Sequence, residues 1–203
     1  MTRSRTPTLT DSTIPDAAAP PADDWGPFTG LPGHPLMWVL IGSELLVFGA
    51  ALLGLLGGRI ADPVGFRLAQ DHLDRLAGGV NTLVLLTSGL FVAIAVVRAK
   101  AARVAATRGW LAASAGLGLM FLAVKAVEYA TEIGAGWGLD SGGFITLYFL
   151  ITGFHALHVV MGLIILGIVA RWPTAGNVAT GAAFWHMVDL VWLLVFPVVY
   201  LVR

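Results

Sequence analysis

Two stretches of the chain, TGFHALHVVMGLI and AFWHMVDLVWLLV, are almost wholly apolar yet carry ionisable side chains. The first places His155 three residues before His158, and the second places His186 three residues before Asp189. On a helix, this spacing puts both members of a pair on one face. Imidazole and carboxylate groups arranged in this way can exchange hydrogen bonds, ligate a metal ion or pass protons.

Three more ionisable residues lie in apolar stretches: Glu44, Lys125 and Glu128. A charge at the centre of a bilayer costs on the order of 3 kcal/mol even on permissive insertion scales, so each of them needs a partner. Lys125 and Glu128 have the spacing of a helical ion pair, and a rise of about 1.5 Å per residue places them near the outer face. There we expect the pair to neutralise itself while the ammonium group of Lys125 snorkels towards water, and a proton-transfer role is the alternative.

The same count along the helices places the remaining five residues at a shared depth, where they form a predicted inner polar cluster. Its members are Glu44, His155, His158, His186 and Asp189. The favoured role is that of interhelical hydrogen-bond partners that fix the packing and hold a lipid headgroup or water. Metal ligation, a haem held by two histidines from facing helices, and a proton relay remain alternatives. Imidazole and carboxylate sets are less specific for a metal than cysteine sets.

The composition indicates in what kind of protein these ionisable groups lie. Of the 203 residues, 57% are hydrophobic and 12% are charged, whereas soluble domains average about 45–50% apolar residues. The net charge of zero provides no basic field for nucleic acid, and the lack of cysteine excludes thiolate chemistry. No nucleophile elbow, phosphate-binding loop, zinc-protease or dinucleotide motif occurs. The sequence therefore predicts an integral membrane protein with no catalytic centre of its own.

Five apolar spans are long enough to cross a bilayer as helices, which requires about 20 residues each. They lie at residues 36–57, 79–98, 109–131, 143–170 and 180–202. We therefore predict an all-α bundle of five transmembrane helices over residues 36–203. Residues 1–35 are rich in Pro, Ala, Thr and Asp, and are predicted to form a disordered tail.

Smaller features predict details of the bundle. Small residues four apart in the third span, Ala112 with Gly116 and Ser114 with Gly118, are expected to let helix backbones approach closely. Pro197 is expected to kink the fifth span. The loops on the same side of the membrane as the N-terminus carry more Lys and Arg residues than those on the other side. The N-terminus is therefore expected in the cytoplasm and the C-terminus outside.

The sequence of the membrane domain resembles a known family, the subunit III proteins of the haem-copper respiratory oxidases. The likeness covers essentially the whole membrane domain and is carried by five strings: WVLIGSELLVFG, NTLVLLTSG, GLGLMFLAVKAVEY, ITGFHALHVVMGLI and FWHMVDLVWLLVF. Within them, the matching residues are Glu44, Asn81, Thr82, Ser88, Glu128, Tyr129, His155, His158, Gly162, Trp185, His186, Asp189 and Trp192. The last two strings together are the most diagnostic.

The resemblance implies an accessory subunit that carries no redox centre itself. Haem and copper would belong to the catalytic subunit I against which it docks, and its helices would enclose a cleft that holds phospholipid. It would be a multi-pass protein of a bacterial inner membrane that supports proton uptake and lasting turnover. Glu44 is the best candidate for a functional carboxylate.

The chain departs from the common family pattern in two respects. Lys125 stands where Gln is common, and five spans replace the seven of larger members. Both features resemble small members encoded with bacterial oxidases or nitric oxide reductases, so a nitric oxide reductase remains an alternative partner. A stand-alone transporter, or a metal- or haem-containing membrane protein, is the alternative from a different class.

Overall fold

The computed structural model describes residues 35–202, in which every regular element is a helix. The helices are α1 (Pro35–Ala61), α2 (Pro63–Gln70), α3 (Arg75–Lys100), α4 (Val104–Gly134), α5 (Gly143–Arg171) and α6 (Ala175–Phe196), followed by a π-helical segment (Pro197–Leu201). Five of them are long and apolar enough to span a membrane. The predicted all-α bundle of five transmembrane helices is therefore confirmed.

The helix α6 lies at the centre of the packing, where it contacts α1, α3 and α5. It is the most buried of the five spans, and α1 is the least buried. The largest buried side chains on α6 are Trp185 and Trp192, which are 0% and 1% exposed. Such large rings between helices supply much of the apolar contact that holds the bundle.

A short helix, α2, joins the first two spans and lies between the apolar stretches predicted at 36–57 and 79–98. The Asp62 side chain caps it by accepting a hydrogen bond from the Gly65 amide at 2.9 Å, and Pro63 occupies its first turn. Phe66 is 6% exposed and its ring packs edge-on against Phe144 of α5. Because α2 has eight residues and Phe66 is its only buried apolar side chain, the helix is too short and too polar to stand out in a hydropathy window.

The C-terminal segment shows how the chain accommodates Pro197. The α-helical pattern of α6 ends at Phe196, and the next five residues form a π-helix rather than a simple continuation of the α-helix. Gln70 of α2 donates hydrogen bonds to the carbonyls of Val199 at 2.8 Å and Val202 at 3.0 Å. Arg59 donates to the same Val202 carbonyl. Side chains from α1 and α2 therefore satisfy backbone acceptors at the end of the last span.

Only one of the two predicted small-residue pairs in α4 is buried in the bundle. Ser114 is fully buried, and a Cβ placed on Gly118 would lie 2.7 Å from the Trp185 ring, so this pair allows close packing. Gly116 has nothing within 4 Å of a Cβ position, and Ala112 is exposed. The expectation for Ala112 and Gly116 was wrong, because they face away from the other described helices.

The predicted disordered tail of residues 1–35 falls almost entirely outside the described residues. Its last residue, Pro35, is the first residue of α1.

Candidate functional site

The most extensive polar network in the described bundle surrounds Lys125 of α4. Its ammonium group donates to Glu128 Oε2 at 3.1 Å, to the Tyr148 hydroxyl at 3.1 Å and to the Tyr200 hydroxyl at 2.9 Å. Both tyrosine hydroxyls in turn donate to Glu128 Oε1, at 2.7 Å from Tyr148 and 2.5 Å from Tyr200. All three ammonium protons and both hydroxyl protons therefore have acceptors.

Aromatic rings enclose the same ammonium group. Its nitrogen lies 5.0 Å from the ring centre of Tyr129, 4.9 Å from that of Tyr148, and 5.6 Å from those of Trp192 and Tyr200. These distances are within the roughly 6 Å over which a cation is attracted to the face of a ring. The chain has three tyrosines, and all three take part. We call this group of residues the Lys125 cluster: Lys125, Glu128, Tyr129, Tyr148, Trp192 and Tyr200. It joins α4, α5, α6 and the π-helical segment.

The expectation that Lys125 snorkels towards water was wrong. The side chain of Lys125 is 3% exposed and that of Glu128 is 7% exposed. A buried ion pair is tolerable only where hydrogen bonds satisfy its remaining protons and lone pairs. Tyr148 and Tyr200 meet that need, but they are far from Lys125 in sequence. Their only signal was the presence of a polar hydroxyl in an otherwise apolar span.

A second polar pair joins α1 to α5. His158 Nε2 lies 3.1 Å from Glu44 Oε2, and His158 Nδ1 lies 2.8 Å from the Phe154 carbonyl. Glu44 Oε2 has no hydrogen-bond partner among residues 35–202, so the 3.1 Å approach of His158 is a close contact without hydrogen-bond geometry. The pair borders an apolar groove of about 350 Å³ lined by Leu40, Glu44, Leu157, His158, Met161, Ile165 and Phe184.

His155 lies in a different environment from His158. It is 0% exposed, and both ring nitrogens lack a hydrogen-bond partner among residues 35–202. Its ring packs 5.0 Å from Trp192, 5.6 Å from Phe121 and 6.2 Å from Phe48, measured between ring centres. In this structure it acts as an aromatic packing residue between α1, α4, α5 and α6.

The remaining pair of the predicted inner cluster lies on α6, and its Asp189 faces α3. His186 Nδ1 is 3.7 Å from Asp189 Oδ2, which is too long for a good hydrogen bond. The side chain of His186 is 47% exposed, whereas that of Asp189 is 8% exposed. A Cβ on Gly89 would overlap the Asp189 carboxylate, so the glycine makes room for it.

The structure therefore distributes the five predicted cluster residues over three places. Glu44 contacts His158, His186 faces Asp189, and His155 is enclosed by rings. No three His, Asp or Glu side chains within residues 35–202 are grouped so that they could hold a metal ion. Among the described residues, none of the five makes a hydrogen bond to a side chain of another helix, so the predicted role as interhelical hydrogen-bond partners stays a prediction.

Buried hydroxyl and indole groups add further links between helices. The Trp185 indole donates to Ser88 Oγ at 3.1 Å, and Ser88 Oγ lies 2.7 Å from Ser114 Oγ. The Trp192 indole donates to Thr82 Oγ1 at 2.9 Å. These bonds tie α6 to α3, and α3 to α4, at positions where an unsatisfied polar group would be costly in a bilayer.

The fold and these contacts define a class: a five-span membrane bundle whose buried polar groups are used to join helices. Comparison with known proteins specifies it further. The family model described as Cytochrome c oxidase subunit III matches residues 48–202. The chain belongs to the cytochrome c oxidase subunit III family.

Three curated relatives illustrate the range of this similarity. Cytochrome c oxidase subunit 3 of Thermostichus vulcanus is 33% identical over 175 residues, covering 80% of this chain and 84% of the relative. Cytochrome bo(3) ubiquinol oxidase subunit 3 of Pseudomonas putida is 33% identical over 175 residues, covering 81% and 83%. Heme-copper oxidase subunit I+III of Aeropyrum pernix is 32% identical over 181 residues, covering 82% of this chain. The chain spans 22% of that longer relative.

Proposed function

We propose that this chain is the accessory, non-redox subunit III of a terminal haem-copper respiratory oxidase. In this role it docks against a catalytic subunit that holds haem and copper, and it supports that subunit without a redox centre of its own. The family match over residues 48–202 is the observation that carries the proposal. The relative named as subunit I+III supports a close association, since its name places both subunits in one protein.

The buried polar groups support an accessory role. Those of the Lys125 cluster bond to one another, and the indoles of Trp185 and Trp192 donate to hydroxyls on α3. Such contacts position the helices that carry them. They are what a scaffold for another subunit's chemistry needs.

The groove beside Glu44 and His158 is the part of the chain that best fits a phospholipid. Its walls are Leu40, Leu157, Met161, Ile165 and Phe184, and its volume is about 350 Å³. Apolar walls of this kind accommodate an acyl chain. The neighbouring acid and imidazole offer hydrogen-bonding groups to a glycerol or headgroup oxygen. Lipid held there would cover the least buried helix, α1.

We place the protein in a bacterial inner membrane with its N-terminus in the cytoplasm and its C-terminus outside. The basis is the excess of Lys and Arg near the span ends on the N-terminal side. Cysteine substitutions in the α3–α4 and α2–α3 connections, tested with a membrane-impermeant thiol reagent on intact cells, check the orientation. Labelling only at the α2–α3 connection is expected, and the reverse pattern would invert the topology.

Oxygen rather than nitric oxide is the proposed electron acceptor of the complex. The relatives from Thermostichus vulcanus and Pseudomonas putida are both named as subunits of oxidases. The decisive experiment purifies the native complex through a tag on this chain, identifies its subunits by intact-complex mass spectrometry, and measures consumption of each gas. Co-purification of a haem-copper subunit that reduces oxygen is expected. An iron or copper absorption band in the chain purified alone would overturn the proposal.

A further inference from the structure

Asp189 has an acceptor atom that the described chain does not use. Its side chain is 8% exposed. Oδ1 is enclosed and has no hydrogen-bond partner among residues 35–202, and Oδ2, which faces Gly89, lies 3.7 Å from His186 Nδ1, too far for a good hydrogen bond. Counted along α6 from Ala175, Asp189 lies roughly 21 Å along a span of 27 residues, which is about halfway. Acyl chains offer no donor, and an unmade hydrogen bond in hydrocarbon costs several kcal/mol.

The surface in front of Asp189 is shaped to admit a neighbouring helix. A groove of about 310 Å³ runs between α3 and α6, lined by Leu86, Gly89, Leu90, Ala93, His186, Asp189, Leu190 and Leu193. Gly89 and Ala93 are four residues apart on α3 and provide a strip without bulky side chains. Small residues at this spacing let two transmembrane helices approach closely. The unpartnered carboxylate and the small-residue strip therefore line one groove.

His186 adds a second polar group to the same surface. Its side chain is 47% exposed in the middle of a transmembrane span, where lipid cannot hydrogen-bond to an imidazole. A second apolar groove, of about 470 Å³, begins on the other side of His186 and is bounded by Trp38, Ala93 and Leu190 among others. A polar site flanked by apolar grooves has the pattern of an interface anchor rather than of a lipid-facing surface.

We propose that the α3–α6 groove around Asp189 docks a transmembrane helix of a partner subunit that carries a hydrogen-bond donor side chain at this depth. The donor reaches Asp189 Oδ2, which faces Gly89 in the groove, the backbone of the partner helix passes over Gly89 and Ala93, and the helix covers His186. The partner is a helix because, within the hydrocarbon, a helix satisfies its own backbone groups. The inference rests on the proposed function, since the partner is a subunit of the complex that this chain joins.

Site-specific photo-crosslinking in native membranes tests this surface. A benzophenone amino acid replaces Leu90 or Leu193, which line the groove, or Leu119 of α4, which is 59% exposed and lies outside it. We expect both groove probes to crosslink a partner subunit and the Leu119 probe to give at most a tenth of that yield. Equal yields, a crosslink only to a second copy of this chain, or a crosslink only to lipid would overturn the docking site.

Substitutions add a second readout. Ala93→Trp fills the groove from its open side and should abolish the Leu90 crosslink, whereas Leu119→Trp should leave it unchanged. Asp189→Leu should also weaken the crosslink several-fold, because it removes the acceptor. A retained crosslink in Ala93→Trp would refute the site even if Asp189→Leu misfolds.

The outcomes also separate this inference from the proposed function. If a haem-copper subunit co-purifies but crosslinks only through Leu119, the proposed function stands and the docking site is wrong. If no haem protein co-purifies, while the groove probes still crosslink another membrane protein, the proposed function fails and the docking site stands.

Discussion

Removing the charge of either Lys125 or Glu128 should destabilise the bundle strongly, and removing both charges together should cost no more than the worse of the two single changes. In Glu128→Gln the Lys125 ammonium group remains buried without its counter-charge. In Lys125→Met the Glu128 carboxylate remains buried without its counter-charge. Loss of one member of a buried ion pair costs about 3–5 kcal/mol. By the usual scaling for a chain of this size, that lowers the thermal midpoint by about 6–20 °C.

The double variant Lys125→Met with Glu128→Gln leaves no uncompensated charge. It still loses hydrogen bonds to Tyr148 and Tyr200, so we expect it to lie below the wild type but no lower than the worse single variant. The double-mutant cycle then gives a coupling energy of about 3 kcal/mol. The assay is thermal unfolding of the purified complex in one fixed detergent or lipid nanodisc, followed by the loss of helical circular dichroism or of partner binding.

A matched control is the exposed pair of Arg75 and Asp71, whose closest atoms are 2.7 Å apart. Their side chains are 38% and 55% exposed, and exposed ion pairs contribute only about 0.2–1 kcal/mol. Asp71→Asn should therefore shift the midpoint by no more than a few degrees. If the two single effects in the Lys125 cluster simply add, or if Glu128→Gln behaves like Asp71→Asn, the account of a closed buried network is refuted.

Three further predictions concern hydrogen bonding, packing and reactivity. Tyr148→Phe should cost about 1–3 kcal/mol in the same assay, because Glu128 and Lys125 each lose a partner. Gly162→Ala should cost about 1–3 kcal/mol, because its Cβ would lie 2.7 Å from an indole ring, whereas Gly116→Ala has nothing within 4 Å and should be neutral or slightly stabilising. A hydrophobic carbodiimide should modify Glu44 in membranes at neutral pH, as mass spectrometry of the peptides would show, because the acid borders an apolar groove.

Each of these expectations has an outcome that would contradict it. A Tyr148→Phe variant as stable as the wild type would mean that its hydroxyl is not needed by the Lys125 cluster. Equal tolerance of alanine at Gly162 and Gly116 would mean that the close contact with α6 relaxes without cost. Glu44 left unmodified while exposed carboxylates react would place that acid outside the reach of a lipid-soluble reagent.

Much of the architecture could be predicted from the sequence alone. Five apolar stretches were sufficient to identify five spans, because a bilayer requires about 20 apolar residues from any helix that crosses it. The family could also be recognised, since strings such as ITGFHALHVVMGLI carry local identity that does not depend on packing. The short helix α2 was missed, because only Phe66 among its apolar residues is buried against the bundle.

The partners of the buried polar groups could not be predicted in the same way. Sequence spacing correctly suggested that Lys125 and Glu128 could meet, since both lie on α4. It could not place Tyr200 beside them, because that residue is 75 positions from Lys125 and reaches it only through the packing of the last span. A wrong expectation of snorkelling followed directly from that missing contact.

The sequence by itself determined how many helices cross the membrane, which residues are ionisable within them and to which family the chain belongs. The tertiary structure decided that Glu44 contacts His158, that His155 is enclosed by rings, and that an oxygen of Asp189 has no partner in the described bundle. The reason is physical. Hydropathy and helix length are local properties, whereas the partner of a buried charge depends on the rotation and register of every neighbouring helix.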